Sequence, residues 1–485
     1  MHLAKIETEE NTQTRSNRRP LRSVAKSIRS ASMFVLAAAA LGSVIGCGNT
    51  YRPVVSAINP VGPPGQPAKY AIAISSPSPT SPGLVTIVDF SGDTVLITAN
   101  LGIAPYYLAL DSAGSNGFTL NGDGTVNSFP IVVTPPNALQ TKDVLQTTLL
   151  SNNCPTAGSS CRPYLPNSIL PLSTTTYISQ PGRSSIAVLQ GSPAALSQEL
   201  QITTGYTPVY IAGINNGPRA YAISQNNGGG NGQVAAIETA SNTIVPSSTI
   251  AVGKAPIYGV MTADSKRAFI MNQGDGTVSV INAQTNQLDI APAGSTNPIP
   301  VGIQPLWADF APTRNELVVA NAGDGTGAGS VSLINIPLCN AATLPTNPGC
   351  DPTNPVDAVG FGQVLANVPV GVNPRMVAVL QDGTRAYTVN QGNPALPCAA
   401  PTAAQPLGNC SVSVVNLTTN TVTATIPILG GHPNFIAVTS GTPTGKVYVT
   451  SPESNNMTVI RTDTDTVETT IPLQGNGVMV RVTAP

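Results

Sequence analysis

A four-residue step, Gly-x-x-Pro, recurs along this 485-residue chain, each time ahead of an apolar run. It stands at Gly102/Pro105, Gly205/Pro208, Gly253/Pro256, Gly302/Pro305, Gly371/Pro374 and Gly430/Pro433. The intervals are 103, 48, 49, 69 and 59 residues; the first spans two repeats, and the last two include insertions that carry cysteine pairs. Proline fixes φ and has no N–H to give to a ladder, so it suits the start of a strand and not its middle. A repeat near 50 residues demands one supersecondary unit, used many times and buried against its own copies.

The stretch Val252–Gly302 shows the unit most plainly. Four runs rich in Val, Ile, Phe and Tyr are predicted as strands: Ile257–Thr262, Arg267–Asn272, Thr277–Asn282 and Asn286–Ile290. Gly274-Asp275-Gly276 between the second and third is a hairpin signal, because glycine accepts the positive φ of tight turns. Second runs and turns recur as FTLNGDGTV from Phe118, YAISQNNGGGNGQV from Tyr221, VVANAGDGTGAGSV from Val318, AYTVNQGN from Ala386 and VYVTSPESNNMTV from Val447. Third and fourth runs are clearest in Ser411–Ile428 and Met457–Leu473, joined by short Thr-rich connections whose Asn or Asp side chains suit a turn. Tandem four-stranded antiparallel units of this length predict an all-β fold, a β-propeller.

These residues resemble the YVTN-type β-propeller repeat family, whose unit runs Gly-x-x-Pro, a strand ending near Tyr-Val-Thr-Asn, then a Thr-Val-Ser-Val-Ile-type strand and a Thr-Asn-Thr-Val turn. The resemblance covers nearly all of 101–475 and is most specific in the fourth, sixth and seventh internal repeats. The second, Thr175–Ile202, keeps three runs and lacks Gly-x-x-Pro. Residues 70–101 supply three strands without a leading one, and 475–485 supply a leading strand and stop. Pairing these ends closes the ring and removes exposed sheet edges, giving eight blades, with seven as the alternative. The runs are apolar on both parities, as expected of sheets buried on both faces.

Ahead of the repeats, a basic polar stretch, an apolar run from Met33 to Ile45 and Val44-Ile45-Gly46-Cys47 form an export signal that resembles the lipobox of bacterial lipoproteins. The run's thirteen residues are too few to cross a bilayer of about 30 Å. The resemblance implies lipidation at Cys47, and Gly48 after it implies the outer membrane or cell surface. The expected organisation is a signal over 1–47, a Pro-rich tether over 48–69 and one propeller domain over 70–485. The six other cysteines fall into local pairs, Cys154/Cys161, Cys339/Cys350 and Cys398/Cys410, read as disulfides in an exported chain. No CxxC spacing occurs and no histidine is expected to lie near a pair, so neither metal nor cofactor is expected. Of 22 basic and 23 acidic residues, seven and three precede Cys47, leaving 15 against 20, a balance that gives phosphate backbones no attraction.

In a four-stranded meander the second-to-third turn and the link to the next blade emerge on one face. That face collects Asn121, Asp123, Asn272, Asp275, Asn321, Asp324, Asn390 and, in Gly-Gly-His-Pro, His432. These are the candidate binding residues, since function concentrates on loops carried by a rigid scaffold. No catalytic set stands out: outside the signal His432 is the one histidine, and Asp89, Asp309 and Asp382 read as isolated. The expectation is a binding or scaffold protein for a protein or envelope polysaccharide, with a lactonase-like hydrolase on the same fold as the alternative.

Overall fold

The computed structural model describes residues 70–149, 166–191, 194–289, 295–337, 360–399, 409–439 and 445–483. They form eight antiparallel meander sheets set as the blades of a closed ring. The innermost strands, in ring order, are Asn476–Val482, Pro105–Leu110, Ser168–Pro171, Tyr206–Gly213, Pro256–Met261, Pro305–Ala311, Pro374–Val379 and Phe435–Val438. Each packs against the next around a central channel, and the blades are numbered 1 to 8 in that order. The signal, the tether, Cys47, Cys154, Cys161, Cys339 and Cys350 lie outside the described residues. Among the described residues no helix is long and apolar enough to cross a membrane.

Closure follows the predicted pairing. Asn476–Val482 lies antiparallel to Tyr70–Ser76, with Ala71 opposite Val482 and Ile74 opposite Met479. Blade 3 has four strands where the sequence showed three. Its inner strand Ser168–Pro171 follows Pro166, so the repeat keeps its proline and loses only the glycine. Blade 5 departs the other way: its expected outer strand Asn286–Ile290 is reduced to Gln287–Leu288, with Ile299–Pro300 pairing further along the same neighbour.

The core is eight layers, one between each pair of adjacent blades. Ile72, Ile74, Val85 and Ile87 of blade 1 meet Leu108 and Phe129 of blade 2. Ala71 and Ala73, on the other face of the same strand, meet Tyr448, Met457 and Val459 of blade 8. Alternation sends successive side chains to opposite faces, so a blade between two neighbours must be apolar on both.

Two polar devices fix the blades to one another. The asparagine ending the second strand bridges to the third: Asn272 Nδ2 donates to Thr277 Oγ1 (3.0 Å) and Ser279 Oγ (2.9 Å), and Asn390 Nδ2 to Ser411 Oγ (3.0 Å) and Ser413 Oγ (2.9 Å). The glycine of the incoming Gly-x-x-Pro step lies directly on this pair. Gly371 N donates to Ser413 Oγ (3.3 Å), and a Cβ on Gly302 would stand 2.7 Å from Asn321 Cγ, so only glycine lets the link approach. At the opposite face a tyrosine from the second strand reaches the next blade's third-to-fourth hairpin. Tyr221 Oη donates to Asn286 Oδ1 (2.9 Å), Tyr387 to Asp465 (2.6 Å) and Tyr448 to Asp93 (3.2 Å), with Tyr177 and Asn242 paired alike. Each acceptor sits in left-handed backbone, which Asn and Asp tolerate best.

Candidate functional site

The asparagine-rich face resolves into two kinds of residue. Asn121, Asn272, Asn321 and Asn390 are fully buried and belong to the scaffold just described, not to a binding surface. Sequence placed them at turn edges; they are the last residues of their strands, with side chains turned inward. Asp123, Asp275 and Asp324 shape the turns. Asp275 accepts from the Lys254 amide at 2.6 Å, and Asp123 from the Thr125 amide and hydroxyl. Asp324 accepts from the amides of Thr326 and Gly327, which hold its carboxyl below its ordinary pKa.

His432 is where the face becomes chemically distinct. It lies in the link from blade 7 to blade 8, and Leu396, Cys398 and Cys410, between Asn390 and Ser411 of blade 7, lie against it. Cys398 and Cys410 are disulfide-bonded with Cα atoms 5.1 Å apart, as expected. The expectation that no histidine lies near a cysteine pair is overturned: both sulfurs and a ring nitrogen of His432 fall within 4.8 Å of one another. Sequence separation hid this, because only the blade 7–8 link brings residue 432 back beside residue 398. The ring is held on both sides, Nδ1 by Glu453 Oε2 at 2.7 Å and Nε2 by the Leu396 carbonyl at 3.1 Å. Burial pulls the His432 pKa down, but the Glu453 bond and charge and the Leu396 carbonyl outweigh it and leave the value raised. Glu453 in turn is lowered by its bond to His432. Among the described residues the ring nitrogens meet the Glu453 carboxylate and the Leu396 carbonyl and no hydroxyl, so a Ser-His-Asp arrangement on His432 finds no support there.

The channel holds a second group that sequence reasoning missed. Two residues after the inner-strand proline the side chain is Tyr107, Tyr210, Tyr258, Trp307 or Phe435, in blades 2, 4, 5, 6 and 8. Tyr258 stacks on Trp307 with centroids 3.9 Å apart and meets Tyr210 at 4.6 Å. From blade 1, across the ring, the Arg481 guanidinium stands 5.4 Å from the Trp307 ring. Trp307 therefore lines the channel and also packs against the layers on either side of blade 6. Asp309 is on the inner strand of blade 6 and not at a turn. Burial raises its pKa to about 6, against the amides of Val379 and Phe310 and the nearby Arg481, which lower it. Arg375, on the inner strand of blade 7, has its pKa lowered by burial. The readable signal was the register, Pro-x-aromatic, repeated from blade to blade. A groove of about 490 Å³ at the circumference, between Val245, Thr249, Asn286 and Leu288, has no ionisable side chain in its lining.

No protein-family model matches the chain, and no curated protein matches it in sequence. Solved structures do. Apo AztD from Citrobacter koseri aligns with TM-score 0.55 at 11% identity, over 86% of this chain and 98% of that one. The dihydro-heme d1 dehydrogenase NirN, in complex with DHE, aligns with TM-score 0.55 at 10% identity, over 87% of this chain and 77% of that one. A candidate 6-phosphogluconolactonase from Bacteroides fragilis NCTC 9343 aligns at 12% identity over 87% of this chain and 99% of that one, with TM-score 0.47. At such identities the likeness shows a shared propeller fold and nothing about chemistry. The lactonase reading gains nothing from a TM-score of that size.

Proposed function

We propose that this chain is an exported, lipid-anchored propeller of the YVTN-repeat type. In this reading it binds a protein or envelope polysaccharide through the face carrying the 391–410 insertion. One observation supports the reading above others: the described parts of that insertion, 391–399 and 409–410, are fixed in place. The Cys398–Cys410 bond, the His432–Leu396 contact and the His432–Glu453 pair tie them to the start of blade 8. Residues held this way lose little conformational entropy on meeting a partner. Behind them, the aromatic belt and Arg481 occupy the channel, which favours recognition at the rim.

The test compares the full chain with a variant whose residues 391–410 are replaced by an Asn-Gly hairpin. Both are presented to envelope extract and to an array of envelope polysaccharides. Retention by the full chain and loss of at least tenfold in the variant is the expected result; equal retention overturns the rim as the site. Anchoring is read separately: Cys47→Ala should shift the chain from the detergent to the aqueous phase.

A further inference from the structure

Around the Cys398–Cys410 bond the structure gathers more than a loop staple requires. Two sulfurs and one imidazole nitrogen lie within 4.8 Å of each other, drawn from two blades. A tetrahedral thiolate–imidazole site needs ligand atoms about 3.5–3.8 Å apart, given metal–sulfur bonds near 2.3 Å and metal–nitrogen bonds near 2.0 Å. The imidazole is held as a ligand's would be: Nδ1 meets the Glu453 carboxylate at 2.7 Å, which leaves Nε2, now on the Leu396 carbonyl at 3.1 Å, as the nitrogen that can exchange its partner for an ion. A carboxylate behind a histidine is the usual support of a metal-bound imidazole, fixing its tautomer and raising its basicity. Cys410 is 1% exposed, and the His432 side chain is 13% exposed, so the cluster is sheltered yet open enough for a small ion and one water.

We propose that Cys398, Cys410 and His432 are the ligands of a thiophilic divalent cation of the Zn²⁺ class, bound only when the disulfide is reduced. The reductant is a dithiol: its two S–H bonds are exchanged for one S–S bond, and the Cys398–Cys410 bond becomes two thiols. The cation then displaces both thiol protons and the Nε2 proton to solvent. No electron moves in that second step. Two thiolates and one neutral imidazole bind the ion, a water fills the fourth position, and Glu453 keeps its bond to Nδ1. The disulfide thus closes the site and the dithiol opens it. This inference is independent of the partner reading.

The experiment uses the full chain with Zn²⁺ as probe, and Co²⁺ as a spectroscopic stand-in. The chain is reduced with a phosphine, which supplies the electrons without competing for metal as a dithiol does. Expected is one Zn²⁺ per reduced chain beyond whatever the Cys398→Ser/Cys410→Ser double variant binds, with a thiolate-to-Co²⁺ absorption that this variant lacks. His432→Ala should weaken that site by at least tenfold while its thiols still alkylate in the same number. Glu453→Gln should weaken it by about tenfold, as removal of an outer-shell partner does. The oxidised chain should not bind at this site. Equal Zn²⁺ binding by reduced wild type and the double variant overturns the proposal, as does unchanged affinity in His432→Ala. Peptide-resolved alkylation confirms that 398 and 410 are the thiols exposed, and unfolding curves of each variant separate loss of a ligand from loss of the fold.

Discussion

Asp309 shows how one residue's surroundings set a property of the whole chain. Its carboxyl faces the channel from an inner strand, accepts from the Val379 amide at 2.9 Å, and has its pKa raised by burial to about 6. A carboxyl raised in this way binds its proton more tightly folded than unfolded. Its stabilising contribution is therefore complete below the ordinary carboxylate range and is lost as pH rises towards 6. Two units of displacement correspond to on the order of 3 kcal/mol. Denaturant unfolding from pH 4 to 7 should show wild type losing stability across that window, and Asp309→Asn, which cannot ionise, losing less by about that amount. Parallel curves for the two proteins would show that the carboxyl is not desolvated in the folded state. Nothing in the sequence announced this residue: an aspartate between Trp-Ala and Phe-Ala looks like any strand aspartate until its register places it in the channel. His432 was visible as a type, and Glu453, 21 residues away, was not, because the two meet only through the turn of blade 8.

Strands and turns were far more legible than sites, for a physical reason. A strand is written in local alternation and turn residues, and Thr277–Asn282 and Arg267–Asn272 are found where their Val, Ile and Phe place them. Contacts between blades are written in pairs about 65–80 residues apart, and no local pattern reveals them. The tyrosine-to-hairpin bond is the example. Asn286 and Asp465 read as turn formers, which they are, yet their side chains accept from Tyr221 and Tyr387 of the preceding blade. Blade 6 carries Val318 where blades 3, 4, 7 and 8 carry tyrosine, and the matching acceptor in blade 7, Asn420, has its Oδ1 buried without a partner. The exception turns the device into a prediction. Tyr221→Phe should cost about 1 kcal/mol, and Tyr387→Phe, which loses a bond to a carboxylate, about 1.5–3 kcal/mol. Asn420→Gly should be near neutral or slightly stabilising, because glycine takes the left-handed backbone there and no donor is lost. Asn286→Gly, by contrast, strands the Tyr221 hydroxyl. Chemical denaturation of the four variants reads the contrast; equal costs at 286 and 420 would remove the tyrosine bond as its cause.

At the scale of the ring, the question is whether the eighth interface is one more layer or the one that makes the others cooperative. Apart from the pairing of Asn476–Val482 with Tyr70–Ser76, blade 1 would hold three strands and end in a bare inner edge. The added strand carries Met479 and Val480, both fully buried, between the layers to blades 2 and 8, and a backbone pair joins Thr483 N to Tyr70 O at 3.0 Å. Burying Met479 and Val480 is worth about 1.5–3 kcal/mol each, so the strand contributes about 3–6 kcal/mol, a large share of the 5–15 kcal/mol of a typical domain. An open arc losing such a strand would keep its other interfaces, since repeats of that kind hold together by nearest neighbours. A closed ring loses closure itself, and the freed edge of Tyr70–Ser76 becomes a template for association. A chain ending at Gln474 should therefore unfold at lower denaturant with a broadened transition and should self-associate. Trp307 is the chain's single tryptophan and lies 5.4 Å from the Arg481 guanidinium that the truncation removes, so its emission reports the channel directly. Supplying residues 475–485 as a free peptide should restore both the monomer and the Trp307 spectrum. A truncated chain that stays monomeric with unaltered emission would mean that the seven complete blades hold the ring without help from the C-terminal strand.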